Sequence, residues 1–227
     1  MTTIEGAEPA CAGLLLAGGG SSRMGRPKAL LPIPCQDARD EGMVHSRPLI
    51  ADQILRLALA GCAPVACVLG ADAGEIVPVL QAPVLPPLPA RLIIAFNEDW
   101  RRGSFSSLQI GLRSLGEWGR GVILLPLDVP GISPGVFACL CAAAAESLRA
   151  PDPAAAIIPV HRGRGGHPLW LAPATAAGLL GEPAEARLDE RLRAMRVLRI
   201  EVADPRVLDN VNTPEEWEIC CRSLEAR

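Results

Sequence analysis

The sequence predicts an α/β fold: a three-layer αβα sandwich around a mostly parallel, Rossmann-like sheet. Three observations predict it. Short apolar runs such as AGLLLA (12–17) and GVILLPL (121–127) alternate with longer segments of helical spacing. The runs are apolar throughout, as strands are when helices cover both faces of a parallel sheet. Of the 227 residues, 49% are apolar, enough for a large core. No internal repeat or shift in composition divides the chain, so 10–227 reads as a single domain behind a loose tail over 1–9.

The elements follow in order. AGLLLA (12–17) is a buried strand. PLIADQILRLALAG (48–61) has helical spacing and ends at a glycine. APVACVLG (63–70) is the second strand, 72–80 a short helix, and the proline-rich APVLPPLP (82–89) a loop. RLIIAF (91–96) is the third strand. SFSSLQIGLRSLG (104–116) is a helix opening at serine and closing at glycine. GVILLPL (121–127) is the fourth strand, and SPGVFACLCAAAAESL (133–148) a helix with proline in its first turn. AAAIIPV (154–160), HPLWLA (167–172) and MRVLRIEV (195–202) are later strands. EARLDERLRAMR (185–196) has the charge spacing of an exposed helical face with ion pairs. TPEEWEICCRSL (213–224) starts with a threonine cap, a proline and two acids, and is the last helix. The polar segment IPCQDARDEGMVHSR (33–47) interrupts the alternation and reads as a solvated loop, with a lid as the alternative.

Composition excludes several function classes. A net charge of −3 argues against a nucleic-acid or anionic-membrane binder. Aromatics are scarce and tyrosine is absent, which removes a base-stacking surface. The N-terminus carries two glutamates and no basic stretch, unlike a signal peptide or membrane span. The eight cysteines form no CxxC pair and sit mostly in apolar runs, as small buried hydrophobes do in a reducing cytoplasm. The three histidines, His45, His161 and His167, do not complete a zinc pattern with them. The four tryptophans read as core, with Trp100 the exception.

The most informative stretch is LLLAGGGSSRMGRPK (14–28). A loop leaving the C-terminal end of the first strand lies at the usual ligand crevice of an open α/β sheet. Its glycines permit unusual torsions and let backbone N–H groups approach an anion. Arg23 and Lys28 add positive charge, so Leu16, Ala17, Gly18, Gly19, Gly20, Ser21, Ser22, Arg23 and Lys28 form a candidate triphosphate site. The dinucleotide fingerprint needs a third glycine where Arg23 stands, and a P-loop needs Gly-Lys-Ser/Thr where Gly25 is followed by Arg26 and Pro27. Asp128 follows the fourth strand and faces the same crevice, where one carboxylate is enough protein anchorage for magnesium beside substrate phosphates.

LAGGGSSRMGRPKALLP closely resembles the signature loop of the MobA-like nucleotidyltransferases, and within them the molybdenum cofactor cytidylyltransferase branch. NEDWRRGSFSSLQIGL (97–112), LPLDVPGISP (125–134), GRGGHPLWL (163–171) and DNVNTPEEW (209–217) resemble further family segments in the same order. The resemblance implies a nucleotide-diphospho-sugar transferase type of fold and magnesium, with manganese as the alternative, on Asp128. It places Asn212 where the family often has a second metal-binding acid; Asp209 is a substitute, and this Asn-x-Asn form resembles the guanylyltransferase branch. It implies an acceptor pocket that includes Asn97, Gly103, Ser106 and Ser107, the start of a helix being a natural anion site. Arg162, Arg164 and His167 are candidates for a second phosphate.

The implied reaction has an acceptor phosphate attack the α-phosphorus of CTP, with pyrophosphate leaving. Such a phosphate carries about −1.5 to −2 charges and needs no base. This agrees with the lack of a Ser/His/Asp or Cys/His constellation. Catalysis then rests on positioning and charge neutralisation by Arg23, Lys28 and the metal on Asp128. The implied acceptor is of the molybdopterin type, with a molybdenum enzyme or its chaperone as a partner. Guanylyl transfer, a sugar phosphate acceptor, and a non-catalytic nucleotide-binding or chaperone protein are the alternatives.

Overall fold

The computed structural model describes residues 11–35, 45–82 and 87–225. The expected tail over 1–9 lies outside them, as do 36–44 and 83–86. Cys11–Ala17 forms β1, a run whose alternate residues enter opposite cores: Cys11, Leu15 and Ala17 on one face, Ala12 and Leu14 on the other. This two-sided burial explains why the run is apolar at every position.

The segment expected as a loop over 33–47 is structured at both ends. Pro32–Cys35 (β2) and His45–Pro48 (β3) pair antiparallel as a ribbon apart from the main sheet. Buried Ile33 joins the core, a tertiary contact that the polar composition concealed. Leu49–Leu59 (α1) then leads into Cys62–Leu69 (β4), Ala73–Gln81 (α2) and Leu92–Phe96 (β5). Ser104–Leu115 (α3) follows, but its N-cap is Gly103 at φ 111° rather than a serine, and no side chain caps it. Val122–Pro126 (β6) and Pro134–Ser147 (α4) close the first half.

The second half is Ala156–His161 (β7), Arg164–Gly165 (β8), Leu169–Leu171 (β9), Pro173–Leu179 (α5), Leu188–Arg193 (α6), Val197–Glu201 (β10) and Pro214–Glu225 (α7). The main sheet has the order β10-β7-β9-β6-β1-β4-β5, with β8 paired to β7. The pairs β1–β4, β1–β6, β4–β5 and β7–β10 are parallel, while β9 runs antiparallel to β6 and β7. Between β7 and β9 the chain is too short for a crossover, so β9 must reverse direction. Sequence spacing marked β9 as a strand without revealing that reversal.

Helices α1, α2, α4 and α7 contribute to the core on one face of the sheet, and α3, α5 and α6 to that on the other. The expected three layers follow from this division. From β1 the chain builds outward through β4 to β5, then returns to place β6 on the other side of β1. The boundary between β1 and β6 is therefore a topological switch point, where the chain leaving both strands opens a crevice.

Candidate active site

Register decides what meets at that crevice. Leu16 pairs with Pro126, and the Leu127 N–H donates to the Leu16 carbonyl at 3.0 Å. The glycine loop and Asp128 therefore leave neighbouring strands at the same level. They open onto a cleft of about 1250 Å³. Leu16, Ala17, Gly18, Gly19, Gly20, Ser21, Ser22, Arg23, Lys28 and Asp128 all line it. So do Gly103, Ser107, His167, Asp209 and Asn212.

Gly18 and Gly20 serve close approach rather than unusual torsions. In this loop only Gly25 has a positive φ, at 71°. A Cβ on Gly18 would meet Ser107 Oγ at 2.8 Å, and one on Gly20 would meet the Trp100 ring at 3.1 Å. A Cβ on Gly70, just past β4, would overlap the Gly18 carbonyl. Gly19 has no such neighbour and is exposed at the cleft. Ser21 pins the loop from within: its hydroxyl accepts from the Lys28 N–H at 2.8 Å and donates to Asp72 at 3.3 Å. Buried Met24 anchors the loop in the core.

Lys28 is nearly buried, at 9% exposure, and its Nζ donates to Asn212 Oδ1 at 3.0 Å. Burial is the largest influence on the ammonium and lowers its pKa below that of a free lysine. Asp128 opposes the shift, Arg23 adds to it, and Glu216 opposes it. The charges of Asp128 and Arg23 thus reach Lys28. Arg23 itself is exposed at the cleft.

Asn212 is held by the start of α7. Its N–H donates to Glu216 Oε2 at 2.6 Å, the Thr213 N–H donates to the same oxygen at 3.1 Å, and the Glu216 N–H donates back to Thr213 Oγ1 at 3.3 Å. This is a capping box, and it confirms the threonine cap read from the sequence. The Asn212 side-chain amide also donates to Asn210 Oδ1. Asp209 has a raised pKa, from burial first, with Arg206 opposing and Asp204 reinforcing.

The acceptor candidates divide. Asn97 Nδ2 donates to Ser106 Oγ at 2.8 Å and to Ser107 Oγ at 2.9 Å, bracing the end of β5 against the first turn of α3. Asn97 and Ser106 line a separate hollow of about 350 Å³ behind that turn, while Ser107 and Gly103 face the main cleft. His167 lines the cleft, its N–H donating to the Val207 carbonyl at 2.8 Å. Its pKa is lowered by burial, with Asp128 opposing. Arg164 also lines the cleft. The Arg162 N–H instead donates to Glu201 at 2.8 Å.

Sequence reasoning missed part of the lining. Trp100, Arg101, Glu185, Arg187, Asp189 and Arg199 border the cleft. Arg101 lies 4.4 Å over the Trp100 ring. Arg187 and Asp189 belong to the charged stretch read as an exposed face, and they are ion-paired at 3.1 Å as expected. Their place at the rim carries no local signal. Trp100 did carry one, as an aromatic just before a glycine and a serine-rich helix start. Among the described residues no helix is long and apolar enough to cross a membrane.

The model of the MobA-like NTP transferase domain matches residues 13–204. Nicotine blue oxidoreductase of Paenarthrobacter nicotinovorans is 29% identical over 222 residues, covering 92% of this chain and 95% of that protein. Among solved structures, the Archaeoglobus fulgidus molybdopterin-guanine dinucleotide biosynthesis protein A superposes with a TM-score of 0.64 at 16% identity, over 95% of this chain and 100% of that one. The Mycobacterium tuberculosis protein Rv0371c, in complex with manganese, gives a TM-score of 0.64 at 17% identity, over 93% and 98%.

Proposed function

Because the chain belongs to the MobA-like NTP transferase family, and is therefore a nucleotidyltransferase, we propose that it transfers CMP from CTP to a phosphorylated molybdopterin-type acceptor. The observation that carries the reading is the β1–β6 register, which sets a loop bearing Arg23 and Lys28 level with Asp128 across one cleft. The molybdopterin-related name of the Archaeoglobus protein supports the choice of acceptor.

The donor set fits a hard divalent cation. Asp128 offers a carboxylate and Asn212 an amide oxygen, both typical magnesium or manganese ligands alongside phosphate and water. The manganese complex of the mycobacterial protein supports such an ion here. When bound, the ion would neutralise phosphate charge between these two residues. Lys28 now donates to Asn212 Oδ1. In this reading it turns to the triphosphate once Asn212 serves the cation.

The remaining chemistry belongs to the chain's own groups. The backbone of residues 18–22 receives the phosphates, with Ser21 and Met24 holding the loop in shape. An acceptor phosphate oxygen forms a bond to the α-phosphorus as the bond from that phosphorus to the β-phosphate bridging oxygen breaks. The electron pair leaves on pyrophosphate, and Arg23 and Lys28 stabilise the charge that develops. Ser107, Gly103 and His167 border the space left for the acceptor.

A guanylyltransferase is the second reading, favoured by the Asn-x-Asn form of residues 210–212, which puts Asn212 where the family often has a second metal-binding acid. A hydride-transferring enzyme, suggested by the name of the Paenarthrobacter relative, lacks support in the loop, where Arg23 replaces the third glycine of the dinucleotide fingerprint. The test is pyrophosphate release from CTP, GTP, ATP and UTP with magnesium or manganese, with and without a phosphorylated pterin, beside thermal shifts for each nucleotide and for NADH. CTP is expected to shift melting most and to release pyrophosphate only with the acceptor. A folded protein that binds no triphosphate would sink the reading.

A further inference from the structure

Away from the cleft lining, α1 sends two polar side chains to the loop that carries Asp128. Gln53 is fully buried, and its Nε2 donates to the Val129 carbonyl at 2.8 Å. One turn later Arg56 donates from Nη1 to the Ile132 carbonyl at 2.9 Å, while its Nε is held by Asp52 at 2.6 Å. The rest of this buried helix face is apolar: Leu49, Ile50, Ile54 and Leu57.

An amide in that company is not explained by packing. Among the described residues Gln53 Oε1 is buried without a hydrogen-bond partner, a cost that an apolar side chain of the same length would avoid. What the amide supplies is direction. Val129 precedes Pro130, so the peptide unit joining them has no N–H, and hydrogen bonding can orient it only through its carbonyl. That unit lies one residue beyond Asp128, and the Val129 N–H between them donates to the Pro126 carbonyl at 3.3 Å. On its other sides, the Asp128 carbonyl accepts from the Val211 N–H at 2.8 Å, and the Leu127 N–H donates to the Leu16 carbonyl at 3.0 Å. The backbone on both sides of Asp128 is thus clamped between β1, the segment leading to α7, and α1.

We propose that Gln53 is a positioning residue: its bond to the Val129 carbonyl aims the Asp128 carboxylate at the divalent cation. This rests on the metal-dependent transferase reading above. Gln53 touches neither nucleotide nor metal, and acts only through the peptide it holds. Removing its donor frees the Val129 carbonyl, lets the Asp128 side chain depart from its aim, and weakens the cation rather than the fold.

The experiment titrates Mn²⁺, with the free ion read by electron paramagnetic resonance, in the presence of CTP and separately of GTP. Gln53→Met keeps the length of the side chain and removes the donor. Its Mn²⁺ affinity is expected to fall about 10–100-fold, the usual effect of losing a partner that orients a metal ligand. The melting temperature without ligand is expected to stay at the wild-type value, and kcat to recover at saturating Mn²⁺. Wild-type Mn²⁺ affinity in this variant overturns the proposal. If Gln53→Met fails to fold, Gln53→Leu carries the same titration, since it also removes the donor, and wild-type affinity there overturns the proposal equally. A wild-type protein that binds no Mn²⁺ with either nucleotide overturns the transferase reading itself, a result distinct from equal binding by wild type and variant.

Discussion

A buried ammonium on the rim of a sheet is an unusual use of lysine. Lys28 is kept from water by its position between the glycine loop and Asn212, so its charge is weakly screened and acts strongly on whatever fills the cleft. Lys28→Met is therefore expected to lower kcat by about 10²–10³-fold, as loss of one preorganised charge-stabilising group does. The melting temperature should hold or rise, because a buried charge is removed; pyrophosphate-release kinetics beside thermal melting will show it. Gly70 matters for the opposite reason, being required for its lack of a side chain. With its Cβ position overlapping the Gly18 carbonyl, Gly70→Ala must push the glycine loop away from β4. The expected outcome is a loss of about 1–3 kcal/mol of stability, as overpacking brings, together with weaker triphosphate binding by calorimetry. The fingerprint loop announced its own glycines, but nothing in its text pointed to this one.

At the scale of elements, the link between β10 and α7 is held by one buried ion pair. Arg206 Nε donates to Asp204 Oδ1 at 2.8 Å, and Asp204 Oδ2 accepts from the Ser133 N–H at 2.9 Å at the start of α4. Burial alone would raise the Asp204 pKa. The Arg206 side chain and the Ser133 and Arg206 N–H groups outweigh it and hold the carboxyl well below its usual range. Because the folded-state pKa is depressed, this stability is fully present above the unfolded value of about 3.9 and drains away as pH falls below it. Asp204→Ala is expected to cost about 3–5 kcal/mol at neutral pH, since it leaves Arg206 buried and unpaired. Urea unfolding as a function of pH checks the sign: the gap between wild type and variant should narrow below about pH 4. The elements were largely legible in the sequence, because apolar period and cap chemistry act locally. The ribbon of β2 and β3 was not, since its pairing depends on Ile33 reaching a core built by other segments.

For the whole molecule, the sheet order opens a cleft at one end of the sandwich, with the loops after β1 and β6 on neighbouring sides of the switch point. A ligand that bridges the two stabilises the folded state by mass action, by about 2.7 kcal/mol at a hundredfold excess over its Kd. CTP with Mn²⁺ should therefore raise the melting temperature more than CTP alone, and EDTA should remove the difference. A shift indifferent to EDTA would count against a metal between Asp128 and Asn212. The same architecture explains the unforeseen rim. Arg187 stands just before α6 and Arg199 lies in β10, far along the chain from the loop they face.

By itself the sequence determined the class of fold, the place of most strands and helices, and, through the loop over 14–28, the family. Each of these is written within a few consecutive residues, in apolar period, cap or loop composition. Only the tertiary structure decided that β9 runs backward, that Gly18 and Gly20 serve close contact, that Asn97 and Ser106 turn to a separate hollow, and that Gln53 donates to the Val129 carbonyl. Those are relations between segments distant in the chain. They are set by strand register and by which surfaces must be buried together, and no local pattern encodes them.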